Sequence, residues 1–515
     1  MTPDNPRLTA VKQKYQAAGQ DHVLTFWDSL SEDEQAPFLN QLESLDPNAL
    51  NSIYRKAMAA SKDKATVQGL EPLARDEARS VMTASAEELC GWTSLGLEAI
   101  ADGQVAVVLL AGGQGTRLGS PLPKGCYRDI GLPSHKTLFQ LQAERIQKLQ
   151  ELARLDRAQK TQQRVESIPS VTIPWCIMTS GPTRQHTETF LREHNYFGLD
   201  VNQIFVFEQG VLPCFDPHGK ILLVKKNMIA TSPNGNGGLY WALYREGVLD
   251  WLQGRGVQYV HCYSVDNILI KIGDPIGIGH MVKMRADVTA KVMPKTMPTE
   301  PLGVICRQNG SIKVVEYSEM DPALAALIDA ETGEFVFRAG NICNQSYTLD
   351  FLKRLPAILQ DQEQDALLYH VASKKIPHIN LETGHRINPE APNGVKLELF
   401  VFDVFPMANR FACLEVERSR EFSPMKNAHG LDSPSTARQD LERLHLRWIE
   451  EAGGRVVAQS KNMQFTTDGT SDTRLGLEIG PTMSYAGEGL EWIRGKTIRA
   501  GAFETKEDVE FVQEP

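Results

Sequence analysis

Val105-Ala-Val-Val-Leu-Leu110 is an unbroken aliphatic run that stops at Ala111-Gly112-Gly113. A continuous run of Val and Leu suits a strand buried on both faces, and such strands belong to parallel sheets covered by helices. The alternation continues downstream. Ile173–Met178, Ile204–Phe207 and Val257–Ser264 read as strands, and Thr137–Leu152, Thr183–His194 and Gly237–Leu252 read as helices. Alternating strands and helices predict an α/β fold with a doubly wound sheet and right-handed crossovers. Ligands of such sheets sit beyond the carboxyl ends of the strands. Chemistry is therefore expected in the glycine-rich segment that follows Leu110.

With 515 residues the chain exceeds what one hydrophobic core usually supports. Three parts are expected. Residues 1–100 carry Leu24, Trp27, Leu30, Phe38, Leu39, Leu42 and Leu45 at roughly helical spacing and read as a helical segment packed on the rest. Residues 101–407 hold the alternating pattern. Residues 408–515 begin a new texture, with a helix over Arg438–Ala452 and short apolar runs at Arg455–Ala458 and Leu475–Ile479, which suggests a small β-rich lobe. The net charge is −10. An acidic chain is a poor general nucleic-acid binder, so any phosphate must be held by a local cationic site. The eight cysteines are scattered without a CxxC pair, which points away from zinc and from a disulfide framework. Met1–Gln20 is polar and lacks the apolar core of a secretory signal, and Val105–Ala111 is far too short to span a bilayer. A cytoplasmic protein without membrane partners is expected. Glu504–Glu514 reads as a solvated acidic tail and Phe400–Phe405 as core.

The loop is Leu110-Ala-Gly-Gly-Gln-Gly-Thr-Arg-Leu-Gly119, followed by Pro123-Lys124-Gly125. Gly112, Gly113 and Gly115 allow a sharp turn and close backbone approach to a ligand. Their amides can face phosphate oxygens. Arg117 adds a planar fork and Lys124 a point charge. No GxxxxGK[ST] phosphate loop is present. A GxGxxG dinucleotide fingerprint fails by one residue, because Leu118 stands where the third glycine belongs and Gly119 follows it.

LAGGQGTRLG with PKG resembles the signature of the eukaryotic UDP-sugar pyrophosphorylases. The continuation Gly131-Leu-Pro-Ser-His-Lys-Thr-Leu-Phe-Gln-Leu-Gln-Ala-Glu-Arg145 resembles their N-acetylglucosamine branch. The likeness extends through FEQGVLP (207–213), SPNGNGGLY (232–240), YSVDNILIK (263–271), VVEYSEM (314–320), AGNICN (339–344), KLELFVFDVF (396–405) and EFSPMKNA (421–428). It covers residues 101 to 430 well and the two ends weakly. PKGCYRDIGLPS runs one residue longer than the family's usual spacing, which places an insertion near Arg128.

This resemblance implies a Rossmann-like nucleotidyltransferase fold with a mixed sheet. It also implies a reaction in which a sugar-1-phosphate oxygen attacks the α-phosphorus of UTP and releases pyrophosphate. The nucleophile is already an anion, so cations and a divalent metal are expected and a catalytic triad is not. No GxSxG or HExxH occurs. Arg117, Lys124 and Lys426 are the implied catalytic cations, and Lys396 and Lys426 match lysines at the phosphates. Leu110, Gly112, Gly113 and Gln209 match nucleotide-binding positions, with the Gln209 amide suited to the imide edge of uracil. Gly235, Asn236, Glu316, Tyr317 and Asn341 match sugar-contacting positions. Asp266, at the carboxyl end of a strand, matches the carboxylate for Mg²⁺, for which Mn²⁺ can substitute. The implied substrates are UTP and N-acetylglucosamine 1-phosphate. The rival within the family is a preference for glucose 1-phosphate or N-acetylgalactosamine 1-phosphate. UDP-glucose pyrophosphorylases usually carry GGLGTxMG, whereas Gln114, Arg117 and Leu118 stand at the distinguishing positions here. A rival of another class is a non-catalytic nucleotide-sugar-binding regulator, which would be expected to lack one of Arg117, Lys124, Asp266 or Lys426.

Overall fold

Every residue of Val105–Leu110 is buried in the computed structural model of the chain, which describes residues 5–62, 69–317, 319–360, 369–457, 463–465, 471–473 and 475–512. The chain forms two compact units, each assembled from three separate stretches. The larger comprises Gly69–Glu208, Leu243–Leu355 and Phe405–Pro515, and the smaller comprises Met1–Gln68, Gln209–Ala242 and Pro356–Val404.

The larger unit is built on a mixed sheet. Its main strands are β1 (Ala78–Ser80), β2 (Val105–Leu110), β3 (Trp175–Thr179), β4 (Ile204–Glu208), β5 (Tyr259–Ser264), β6 (Val288–Pro294), β7 (Ala339–Thr348) and β8 (Phe411–Glu415). Their order is β1-β8-β6-β7-β5-β2-β3-β4. Along this path only β7 runs antiparallel to its neighbours, β5 and β6. The α/β class and the mixed sheet are thus as expected. Val105, Val107 and Leu109 point into a core with Trp175, Ile177 and Tyr263. That core is closed by Phe139, Ile146 and Leu149 of the helix Leu138–Thr161. This helix runs past Leu152, where the apolar pattern fades. The helix expected over Gly237–Leu252 is instead two, Leu239–Arg245 and Val248–Gln253, because Gly247 takes a left-handed φ of +73° between them.

The helices Ala86–Ala101 and Pro275–Met284 cross with their backbones touching. A Cβ added at Gly279 would lie 1.7 Å from the Trp92 carbonyl oxygen, and one at Gly96 would lie 2.0 Å from that of Pro275. The C-terminal helix Pro434–Glu451 and the short strand pairs Arg455–Val457/Thr497–Arg499 and Glu478–Ile479/Ala502–Phe503 share one core with Leu118, Ile130, Leu141 and Ile268. Ala458 of the expected apolar run and the last residues of the acidic tail lie outside the described residues.

Three histidines of this unit are buried in neutral form. His261 accepts from the Gly273 N–H through Nδ1 (2.9 Å) and donates from Nε2 to Asn344 Oδ1 (2.8 Å). Burial pushes His261 and His280 down to about 4 and His445 to about 3. The unfolded chain protonates these rings near pH 6.5 and the folded chain does not. Stability from each is therefore complete above pH 6.5 and falls as pH drops toward the folded value. Going from pH 7 to pH 5 should cost about 2 kcal/mol per ring. Neither buried ring nitrogen of His280 has a hydrogen-bond partner among the described residues, so His280→Leu removes one titration without breaking a hydrogen bond seen there. Urea midpoints at the two pH values should draw closer in that variant, and an unchanged gap would reject the assignment.

In the smaller unit the helices Pro6–Ala17, Glu32–Glu43 and Pro47–Lys62 place Tyr15, Phe38 and Leu42 in one core with Phe215, Val395 and Leu397. Ser31 and Glu34 form a capping box that starts the second helix. The segment Asp21–Ser29 is two short 3₁₀ turns rather than a continuous helix. The unit also holds strand pairs that include Val211–Pro213/Thr231–Pro233 and His370–Lys374/Gly394–Glu398.

Candidate active site

In the larger unit β2 and β5 are parallel neighbours, with Leu110 opposite Ser264. The glycine-rich loop and Asp266 therefore leave adjacent strands at the same, carboxyl edge of the sheet. The loop closes on itself. Gly115 N–H donates to the Leu122 carbonyl (2.9 Å) and Lys124 N–H to that of Gly113 (3.2 Å). The Ser180 hydroxyl donates to the Gly112 carbonyl (2.7 Å) from the start of the next strand–helix turn. The amides of Gly112, Gly113 and Gln114 have no acceptor among the described residues. Leu118 is buried beneath the loop, while Arg117 is exposed and has no ion-pair or hydrogen-bond partner among the described residues.

Lys124 turns back toward the sheet edge. Its Nζ lies 3.6 Å from Asp266 Oδ2 and donates to the Met425 carbonyl at 3.2 Å. The side chains of Lys124 and Asp266 are 16 % and 17 % exposed, so both face a shielded but accessible space. Ser264 Oγ donates to Asp266 Oδ1 (2.7 Å), and the Asp266 carbonyl accepts from Met425 N–H (2.9 Å). Lys426 is the next residue in the chain. Its backbone N–H donates to the Asp432 carbonyl and its Nζ lies 3.7 Å from Asp432 Oδ2, with the side chain half exposed. The segment around Arg128, where an insertion is expected, lies outside this constellation. Tyr127 is buried and its N–H donates to the Lys124 carbonyl (3.0 Å), while Arg128 and Asp129 are exposed.

Asn341 and Glu316 meet around Gly303. Asn341 N–H donates to the Gly303 carbonyl (2.8 Å), and a Cβ at Gly303 would lie 3.0 Å from Glu316 Oε1. Tyr317 is 54 % exposed. Two residues beyond Asn341, Cys343 takes a φ of +53° in β7, beside the register shift between Ala290 and Val292 of β6. A bulge of this kind re-aims neighbouring side chains. Asn344, the residue after Cys343, pairs with Tyr263 of β5, three residues before Asp266, so β7 delivers this segment to the same sheet edge.

The smaller unit holds the remaining candidates. Gln209 is buried, and its side-chain amide makes no hydrogen bond to the described residues. Gly235 takes a φ of +84° and passes so close to the strand after Lys396 that a Cβ would sit 2.2 Å from the Leu399 carbonyl oxygen. Asn236 then opens a 3₁₀ turn that leads into a helix. Its Oδ1 accepts from Val401 N–H (3.1 Å). Lys396 lies on the strand Gly394–Glu398, half-buried and near Cys214. The run expected to be core splits. Val401, Val404 and Phe405 are buried, whereas Phe400 and Phe402 are half-buried and make tilted or edge-on ring contacts with each other and with His370.

Sequence reasoning named neither Asn234 nor Asn267. Asn234 is buried, and its Nδ2 would lie 3.3 Å from a Cβ at Gly210, the residue after Gln209. Asn267 follows Asp266 and is considered below. The only advance signal for either was an Asn inside a motif run that resembles the family's, which carries no geometry. Among the described residues no three His, Cys, Asp or Glu side chains gather as a metal cage. The donor set at Asp266 instead suits Mg²⁺, which keeps its waters and is held by one or two carboxylates plus phosphate oxygens.

The arrangement offers an anion-binding loop, an exposed arginine, two lysines and one carboxylate around the edge of a mixed sheet. It can hold and neutralise a polyphosphate, and it offers no Ser–His or Cys–His pair for covalent catalysis. Residues 48–447 match the family described as UTP–glucose-1-phosphate uridylyltransferase. The UDP-N-acetylhexosamine pyrophosphorylase-like protein 1 of Homo sapiens is 42 % identical over 95 % of this chain and 96 % of its own. The UDP-N-acetylglucosamine pyrophosphorylase of Saccharomyces cerevisiae is 42 % identical over 95 % of this chain and 98 % of its own. The crystal structure of the uridine diphosphate N-acetylglucosamine pyrophosphorylase from Trypanosoma brucei, in complex with an inhibitor, superposes with a TM-score of 0.77. It is 30 % identical over 96 % of this chain and 95 % of that one.

Proposed function

This chain belongs to the UTP–glucose-1-phosphate uridylyltransferase family, and from that membership we propose that it converts UTP and N-acetylglucosamine 1-phosphate into UDP-N-acetylglucosamine and pyrophosphate, the closing step in making that nucleotide sugar. The observation that carries the reading is the meeting of Lys124, Asp266 and the Lys426 segment beside the open amides of Gly112 and Gly113. Relatives more than 40 % identical over nearly the full length carry names of N-acetylhexosamine and N-acetylglucosamine pyrophosphorylases, which supports the choice of sugar.

In the reaction a phosphate oxygen of the sugar 1-phosphate forms a bond to the α-phosphorus of UTP. The bond from that phosphorus to the oxygen bridging to the β-phosphorus breaks, and pyrophosphate leaves with the electron pair. No proton moves, so no general base is needed. The amides of Gly112 and Gly113 would hold phosphate oxygens, and Gln209 would read uracil. Lys124, Arg117 and Lys426 would offset the charge that builds up in line with attack and departure. Lys396 would meet a phosphate, and Gly235, Asn236, Glu316, Tyr317 and Asn341 would meet the sugar. Asp266 would hold Mg²⁺, which when bound neutralises phosphate oxygens. A cytoplasmic setting belongs to the proposal. All eight cysteines are free thiols, which suits a reducing compartment. No helix among the described residues is long and apolar enough to cross a membrane.

Pyrophosphate release from UTP, measured across a panel of sugar 1-phosphates, tests the reading. N-acetylglucosamine 1-phosphate should be among the best substrates, with N-acetylgalactosamine 1-phosphate and glucose 1-phosphate as the competitors. Failure of the first to support turnover would sink the assignment. Asp266→Asn should raise the Mg²⁺ concentration needed for half-maximal rate by about tenfold or more, the scale of losing one charged ligand contribution. An Mg²⁺ titration that superposes on that of the wild type would remove Asp266 from the metal site.

A further inference from the structure

We propose that Asn267 is a positioning residue that holds the Lys124–Asp266–Lys426 constellation together, a role that rests on the uridylyltransferase reading. Asn267 is 3 % exposed, and its side chain bonds to backbone groups alone, through three hydrogen bonds. Nδ2 donates to the Glu421 carbonyl (2.7 Å), and Oδ1 accepts from Leu269 N–H (3.2 Å) and Ser423 N–H (2.9 Å). The two segments it joins are 154 residues apart in the chain. Around it they pair as a short antiparallel bridge, Asn267 opposite Pro424. Ile268 N–H donates to the Ser423 carbonyl (3.1 Å) and Met425 N–H to the Asp266 carbonyl (2.9 Å).

This clamp sets what the cations meet. Met425 supplies the carbonyl that receives Lys124 Nζ, and Lys426 is its immediate neighbour. The carboxylate of Asp266 leaves the chain one residue before Asn267. One side chain thus fixes the carboxylate, the acceptor of the first lysine and the root of the second. The clamp is anchored from below. Glu421, whose carbonyl receives Asn267 Nδ2, takes Lys291 Nζ at 2.5 Å and Lys271 Nζ at 3.3 Å on its carboxylate. Lys291 also binds Asp274 at 2.6 Å. Two lysines and two carboxylates balance within the buried cluster, so the anchor stays paired when the site above is charged or empty of substrate. An aspartate at 267 keeps the shape but sets an oxygen against the Glu421 carbonyl, and an alanine leaves the Ser423 and Leu269 amides without an acceptor.

Asn267→Ala and Asn267→Asp should lower kcat by about 30-fold or more while KM for UTP stays within about threefold, because the nucleotide loop is untouched and only the transition-state groups lose their placement. In the Lys124→Ala background, Asn267→Ala should add less than about threefold, since the two changes act on one unit. Hydrogen exchange on the full chain supplies the readout that does not depend on turnover. The amides of Ile268, Leu269, Ser423 and Met425 should lose protection in Asn267→Ala, with protection in Val105–Leu110 retained. Multiplicative losses in the double variant, a kcat within threefold of wild type, or unaltered exchange at 423–425 would each overturn the proposal. A wild-type protein that turns over no sugar 1-phosphate would instead defeat the functional reading, and the exchange pattern would still decide whether Asn267 holds the two segments.

Discussion

Lys124→Ala should lower kcat by about 100-fold or more, the scale of removing one pre-placed donor from a developing anion. The geometry explains why this lysine should matter more than a surface cation. It is mostly shielded from solvent, it is held at two points by Asp266 and the Met425 carbonyl, and it follows the loop whose amides are open to phosphate. A cation fixed in advance needs no reorganisation as charge develops. Under the proposed mechanism Arg117→Ala should cost a similar factor by another route, because its guanidinium is exposed and has no partner among the described residues, so a bound substrate would supply one. Stability should change by about 1 kcal/mol or less in Arg117→Ala, whose side chain is exposed, so there the loss should appear in turnover and not in the urea midpoint. Near-wild-type turnover in both variants would defeat the cationic mechanism. A fall in kcat accompanied by an equal fall in stability would reassign Lys124 to the fold.

Two glycine replacements on one helix should move stability in opposite directions. Gly96→Ala places a methyl group 2.0 Å from the Pro275 carbonyl oxygen. No side chain is there to yield, so two helices must separate, at a cost of about 3 kcal/mol. Gly91→Ala, earlier on the same helix, meets nothing within 4 Å. There the loss of glycine's freedom in the unfolded chain should stabilise by about 0.5–1 kcal/mol. The denaturation midpoints of the two variants should therefore fall on either side of the wild type. Gly279→Ala should behave as Gly96→Ala does, because its methyl group meets the Trp92 carbonyl from the opposite helix. Equal midpoints for Gly91→Ala and Gly96→Ala would mean that the crossing is looser than described.

The strand Val105–Leu110 was legible because a strand covered on both faces needs no polar residue, so its run is unbroken. The loop after it was legible because glycines and cations at fixed spacing have few other uses. Loss of pattern explains the misplaced ends. The helix from Leu138 outlasts its apolar stripe and ends at Thr161, and the break at Gly247 is a backbone event with no effect on hydrophobic period. The aromatic run at 400–405 read as core because composition does not say that Phe400 and Phe402 stay half-open. Asn267 was beyond reach for a different reason. Its meaning lies in three backbone groups, two of them more than 150 residues away, and nothing local marks an asparagine as a clasp. The pairing of Lys291 with Asp274 and Glu421 was hidden in the same way.

The threading of the chain through its two units has a consequence for synthesis. The helices before Lys62 bury Tyr15, Phe38 and Leu42 against Phe215, Val395 and Leu397, and the stretch that supplies the last two belongs to Pro356–Val404. A ribosome moving at about 5–20 residues per second needs tens of seconds to travel that far. Throughout that interval the first helices are outside the exit tunnel with their apolar faces uncovered. The nascent chain should therefore engage a holding chaperone early and release it only after residue 404 has emerged, and truncated chains ending before that point should be the aggregating species.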